Sequence, residues 1–346
     1  MHEKLKERFG ATTISLFLTM VLVFLFMYAL NGRKFIDRHN LTSMTYQLPI
    51  IGLLAVGMMF TMLTRYINLS IVANANLNGL IIWLVLDRFT AGSPGQMRDA
   101  AVWQVAVAIA CGLGVSIMLG IFHGLMVAWL RIPALLCTLG TMTFITGVNE
   151  AVSRGYTISG FPASLTGIGN GRFSLFGLMD VPIPIVIFMA SVLVAYYLLR
   201  HTRLGFSIYM IGANETAARF SGINVVKVNI IQYVISAIFA SLTSIIMIGQ
   251  LNSIKANYYE SYVLVAVLSC FLGGVDPKGG FGHLSGVVIA TIILQFMSSG
   301  LTLMRLDPFM ITIMWGGIVI LLIFGRAFMN HLRLALRRRA GRTGAD

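Results

Sequence analysis

Two sets of polar residues interrupt an otherwise apolar chain, and neither is suited to making or breaking bonds. The stretch "NLSIVANANLNG", residues 68–79, holds four asparagines. Ser70, Asn74 and Asn78 recur every fourth residue, so a helix stacks them on one face. Together with Asn68 they supply neutral donors and acceptors. Such groups suit either the hydroxyls of a passing solute or hydrogen bonds between helices. Thr143, Thr146 and Glu150, at i, i+3 and i+7, repeat the arrangement farther along. Their hydroxyls suit a solute path, or simply bond back to their own helix. No catalytic residues are identified. Clustered His, Asp or Glu, as a membrane-face enzyme needs, is absent from the sequence pattern, and no metal site is expected. His123 and His283 fall near the ends of apolar runs and read as interfacial or core residues. Cys111, Cys137 and Cys270 lie within such runs and read as small core residues, not as disulfides or ligands.

The elements that position these groups are membrane helices. The chain has 346 residues, of which 57% are hydrophobic and only 11% charged, with a mean hydropathy of +0.85; soluble domains carry about 25% charge. Apolar runs near the bilayer-crossing length recur throughout, and the alternating pattern of a membrane barrel is missing. The expected class is all-α: a polytopic helical protein forming one transmembrane domain over residues 1–346. Ten spans are expected at 13–31, 47–63, 68–86, 102–121, 134–150, 183–199, 228–248, 259–272, 283–303 and 309–325. The first run has no small-residue cleavage site and reads as a retained span.

An even number of spans puts both termini on one side. With the N-terminus inside, inner segments hold 16 of the 25 Lys and Arg, which favours cytoplasmic termini. Residues 1–12 and 200–227 are then cytoplasmic, 151–182 form an extracytoplasmic loop, and the basic tail 327–346 lies inside near anionic membrane lipid. The formal net charge of +13 is explained by basic residues flanking spans; it forms no groove-sized patch, and nucleic acid is excluded as a partner. "GLMVAWLRIP" (124–133) and "GLTLMRLDP" (300–308) share Gly-Leu, a later Arg and a Pro, a weak trace of the inverted repeats found in transporters.

Within 200–227 lies "GANETAARFSG", residues 212–222. Asn214 is a good N-cap for a helix starting at Glu215. Glu215 and Arg219 sit at the dipole ends that favour them, as an i, i+4 pair in the favoured order. Gly222 is placed for a left-handed stop. Two turns are marginal in isolation, so the segment is either a tidy connector or a helix stabilised in the groove of a partner.

"RHTRLGFSIYMIGANETAARFSGINV" (200–225) resembles the cytoplasmic signature of permease subunits in ATP-binding-cassette importers of the ribose, xylose and galactoside type, a family that also includes autoinducer-2 permeases. The match falls on Thr202, Gly205, Tyr209, Gly212, Asn214, Ala217, Ala218, Arg219, Ser221, Gly222 and Ile223. "GLMVAWLRIPALLCTLGTM", "LGGVDPKGGFGHLSG" and "INLSIVANANLNG" are similar to three further family blocks, the second carrying the cytoplasmic glycines Gly273, Gly274, Gly279 and Gly280. Where the family has an acidic residue in its Ile-Asp-Leu-Ser block, this chain has Asn68, and Val72 and Ala73 stand where a glycine usually follows.

The resemblance implies that 214–221 is a coupling helix that docks in a separate cytoplasmic ATPase. That ATPase would carry the ATP and Mg, and this chain would bind no cofactor. It also implies a second permease subunit, identical or homologous, and a periplasmic or lipid-anchored sugar-binding protein. The setting is a bacterial inner membrane, crossed several times, and the cargo a neutral sugar or sugar-like molecule. The chain has no G-x-x-x-x-G-K-[ST], and "GGVDPKGG" lacks that spacing. An ATP-independent carrier or facilitator for a small polar solute is the alternative. The lack of charge within the spans weighs against an ion-coupled carrier, though not against a passive one.

Overall fold

The computed structural model describes residues 2–90, 97–175, 179–307, 309–318 and 320. Each of the ten apolar segments contains a helix: α1 (His2–Asn31), α2 (Arg38–Met62), α3 (Ile71–Phe89), α4 (Val102–Ala128), α5 (Ala134–Ser153), α7 (Ile183–His201), α10 (Val225–Leu251), α11 (Tyr262–Leu272), α12 (Leu284–Leu303) and α13 (Phe309–Ile318). Shorter helices join them: α6 (Ala163–Asn170), α8 (Arg203–Ala213) and α9 (Glu215–Phe220). Seven of the ten are long and apolar enough to cross a bilayer outright; α3, α11 and α13 are the exceptions. Residues 321–325 of the last expected span, and the basic tail, lie outside the described residues.

Three helices run well beyond expectation. α1 begins eleven residues before the expected start of its span, at His2, α2 nine residues before, at Arg38, and α4 runs on to Ala128. The extra turns of α2, "RHNLTSMTY", are too polar for hydropathy to include but are compatible with a helix outside the apolar layer. Minor β-structure also occurs: β1 (Ile158–Ser159) pairs with β4 (Ser253–Ile254), and β2 (Arg172–Leu175) with β3 (Met179–Pro182), both antiparallel.

α2 and α10 form the core. α2 is buried without a break from Pro49 to Met62, and a helix apolar on all sides must be enclosed. α10 lies against α2, α3 and α4. α1 packs on α12 through the edge-to-face rings of Phe24, Phe35 and Phe296. Glycines bring backbones together in place of side-chain knobs. A Cβ at Gly120 would meet Val234 Cα at 2.8 Å and one at Gly124 would meet Ile230 Cα at 2.5 Å, both on α10. Gly169 similarly abuts Gly249, and Gly286 abuts Gly273.

Loop contacts sort the helix ends into two faces. On one, Arg65 bonds the Gly212 and Ala213 carbonyls, Gly280 donates to Leu63, and Tyr209 donates to Gly282. On the other, Tyr46 reaches the Asn170 carbonyl, Gln250 donates to the Tyr46 carbonyl, Asn40 accepts from Ser299, and β1 meets β4. This is the grouping that an alternating ten-span path requires. Four helices, α2, α4, α5 and α12, are followed closely by an arginine in the left-handed region: Arg65 (φ 75°), Arg131 (φ 56°), Arg154 (φ 52°) and Arg305 (φ 57°). The two similar loops 124–133 and 300–308 therefore turn alike, through Arg131 and Arg305.

Replacing Gly124 by Val should force α4 away from α10. Overpacking of this kind costs about 1–3 kcal/mol. Thermal unfolding in detergent should show a lowered midpoint for Gly124→Val. Gly114→Ala, at a position with nothing within 4 Å, should leave it unchanged.

Candidate functional site

The site begins at a junction on the face that carries residues 200–227. α8 opens with Thr202 accepting from the Gly205 amide at 3.3 Å. It closes at Gly212, where a Cβ would strike the Leu63 carbonyl and the Gly280 amide. Only glycine allows the ends of α2 and α8 and the glycine-rich loop to meet this closely. Gly279 (φ +79°) and Gly280 (φ +78°) turn through the left-handed region there. Asp276 holds the loop by accepting from the Lys278 amide at 2.9 Å, and Gly273 and Gly274 lead into it from α11.

From this junction projects α9. Asn214 Oδ1 accepts from the Ala217 amide at 3.1 Å, Arg219 meets Glu215 at 2.9 Å, and Ser221 Oγ donates to the Ala217 carbonyl. Gly222 turns at φ +81°, and Ile223 closes back on the Ala218 carbonyl. Asn224 then caps α10. Ala218 is fully buried, whereas Phe220 is 90% exposed. The Glu215–Arg219 pair is half exposed and local, contributing about 0.2–0.5 kcal/mol. The large apolar group on the free side of the helix is therefore Phe220. Burial pushes the Tyr209 phenol up to about 12, so it remains the donor to Gly282 throughout the physiological range.

A second set of groups extends from the junction toward the middle of the bundle. Thr64 donates to Gln232 Oε1 at 2.7 Å, and Gln232 donates to Asn229. Asn68 donates to Ser236 Oγ at 3.1 Å and accepts from Ser70 at 2.8 Å, while Ser70 Oγ also lies 3.1 Å from His123 Nε2. Asn78 donates to both Ser116 and Ser241. Three tiers thus tie residues 64–70 and α3 to α10, the second and third reaching α4 as well, and every described member is buried and neutral. Asn74, Asn78 and Asn149 each keep a buried side-chain carbonyl oxygen with no hydrogen-bond partner.

The asparagine face and the threonine face do not meet. Asn68, Ser70, Asn74 and Asn78 are buried against α4 and α10, and Asn149 and Thr138 fasten α5 to the Ala73 and Ile67 carbonyls. Thr143 is exposed and bonds back to Leu139, Thr146 is half-buried, and Glu150 is exposed. Gly140 and Gly147 lie on the same side with nothing within 4 Å of a Cβ. The exposed faces of α1, α4 and α7 carry Leu, Ile, Val, Met and aromatic residues, and α5 exposes Leu135, Leu136, Leu139 and Phe144 beside its polar groups. Sequence reasoning missed Arg65, for which there was no local signal. It also missed Asn229, Gln232 and Ser236, whose i, i+3, i+7 spacing on α10 was visible. His123, read as interfacial or core, is a member of the network.

Asn68 both donates and accepts, which an ionised aspartate in its place cannot do. Asn68→Asp should lower the unfolding midpoint in detergent, because an unpaired buried charge costs several kcal/mol. The buried acid's pKa would be raised above its unfolded value, so the deficit should grow as pH rises from 5 to 8.

Comparison with known proteins agrees with this architecture. The family described as "Branched-chain amino acid transport system / permease component" matches residues 40–324. The ribose import permease protein RbsC of Escherichia coli (strain K12) is 33% identical over 297 residues, 84% of this chain and 87% of the relative. The autoinducer 2 import system permease protein LsrC of Escherichia coli (strain SMS-3-5 / SECEC) is 29% identical over 93% of this chain and 89% of its own. LsrD of Yersinia enterocolitica is 24% identical over 89% of each. With most of its length matched, the chain belongs to this family of transport-system permease components.

Proposed function

We propose that this permease, as the membrane-spanning subunit of an ATP-binding-cassette importer, carries a neutral sugar or sugar-like molecule across the bacterial inner membrane. A separate cytoplasmic ATPase, holding ATP and Mg, powers it. The observation that carries the reading is α9: a capped two-turn helix, rooted in the junction of α2, α8 and the glycine-rich loop, that presents an exposed phenylalanine. Exposed aromatic anchors of this kind seat in partner pockets. The excess of Lys and Arg on the same side supports a cytoplasmic position for 200–227 and for both termini, with 151–182 outside. A periplasmic or lipid-anchored binding protein delivers cargo to that outer face.

The cargo class follows from the polar groups. Among the described residues, the buried polar side chains are Asn, Gln, Ser, Thr and His. They match hydroxyls, whereas a zwitterionic amino acid calls for buried opposite charges. The cargoes named for the two Escherichia coli relatives, ribose and autoinducer 2, support the same direction. A second permease subunit, identical or homologous, covers α5. In this reading Thr143, Thr146 and Glu150, exposed or half-buried on α5, face the path between the two subunits. Asn74 and Asn78, with unused carbonyl oxygens, gain partners as the helices part.

The test is co-purification from native membranes, followed by uptake in vesicles. Wild type should bring down an ATPase. Phe220→Ala and Arg219→Glu should weaken that association, Phe220→Ala by about 2 kcal/mol or more, and uptake should fall with it. Full uptake by the chain alone after ATP depletion would establish the passive facilitator instead.

A further inference from the structure

We propose that Arg65, with the eight-residue link 63–70 between α2 and α3, is a positioning residue that carries movement of α9 into the hydrogen-bond tiers of α3, α4 and α10. The proposal rests on the docking role just given to α9 and names how that site works.

The link has almost no residue left unattached. Leu63 O accepts from Gly280 at 2.8 Å, tying it to the glycine-rich loop. Thr64 bonds Gln232 on α10, and Ile67 O accepts from Thr138 on α5 at 3.0 Å. Asn68 bonds Ser236 on α10, and Ser70 lies against His123 on α4. Leu63 O also packs against Gly212, but among these Arg65 is the one whose side chain hydrogen-bonds α9's root. Its Nε donates to Gly212 O at 2.9 Å and its Nη2 to Ala213 O at 2.8 Å. Those carbonyls are the last of α8 and immediately precede Asn214, the cap of α9.

The geometry suits a rigid joint. The two carbonyls stand at the negative end of α8, where a cation is favoured. The planar guanidinium holds both at once, which an ammonium cannot do with the same directionality. The backbone of Arg65 occupies the left-handed region at φ 75°, a conformation that non-glycine residues adopt only when held. The side chain also lies across Gly279, where a Cβ would meet Arg65 Cγ at 2.5 Å. α9 therefore cannot shift at its root without either tearing the Arg65 fork or dragging the link. Dragging the link pulls on Asn68 and Ser70, and so on the tiers that hold the bundle closed.

The experiment uses the complete complex with its co-purified ATPase, reconstituted in liposomes. Arg65→Ala should keep the ATPase bound, while uptake per ATP hydrolysed falls roughly tenfold, within the usual range of coupling between sites. Arg65→Lys, which keeps charge and stem, should be rescued only in part. Undiminished uptake per ATP in Arg65→Ala would overturn the proposal. So would loss of the ATPase itself, which would make Arg65 part of the docking surface and leave the docking role of α9 standing. Conversely, a Phe220→Ala complex that retains its ATPase at full affinity, beside an uncoupled Arg65→Ala, would remove the Phe220 anchor and leave the Arg65 joint. Should Arg65→Ala fail to accumulate, hydrogen exchange on the wild-type complex decides. Nucleotide should alter exchange at residues 63–70 together with 214–222, and a change confined to 214–222 would overturn the proposal.

Discussion

The structure depends on a rule of membrane interiors: a polar group away from water must find its partner within the protein. α10 answers that rule in large part with a line of neutral groups, Asn229, Gln232, Ser236 and Ser241, each joined to a side chain on a neighbouring segment or one turn away, while Asn229 Nδ2, Tyr233 OH and Ser244 Oγ stay buried without a partner. Because no charge is involved, making and breaking these bonds incurs no ionic desolvation, so a bundle held this way can rearrange. Apolar packing alone would hold α3, α4 and α10 without fixing their register. The hydrogen-bond tiers fix it at three depths.

The glycines complement those bonds. Gly120 and Gly124 let α4 touch the backbone of α10, and Gly212 with Gly280 lets three chain ends converge beneath α9. Close backbone contact makes these joints stiff, since there are no flexible side chains to absorb displacement. α5 differs. It is fastened by Asn149 and Thr138 on one side and leaves Thr143 and Glu150 on the other. Stiff joints at one face of the bundle, and at its edge an apolar helix that also leaves Thr143 and Glu150 uncovered, suit a unit that works as part of a larger assembly.

Much of this was legible in the sequence because the signals are local. Apolar length gave the ten helices, and the Asn214, Glu215, Arg219 and Gly222 pattern marked a capped helix with its ends nearly in place. The asparagine stripe was legible as one helix face from the four-residue spacing of Ser70, Asn74 and Asn78, and that face is buried. What was not legible is pairing at a distance. Arg65 reads as one more juxtamembrane cation, and only the fold brings it to carbonyls about 150 residues away, at Gly212 and Ala213. Phe220 falls inside a conspicuous motif, yet its exposure depends on which side of α9 Ala218 turns inward. The helical extension of α2 was missed because hydropathy registers the apolar layer and not the helix that continues beyond it.

The left-handed arginines that follow four of the helices set two ordinary preferences against each other. At such a corner the backbone would settle most comfortably with glycine. Glycine, however, carries no guanidinium. At Arg65 the side chain ties the corner to the Gly212 and Ala213 carbonyls, so a version of the protein improved for heat resistance alone, with glycine there, would be expected to relax the backbone and cut that tie in the same stroke.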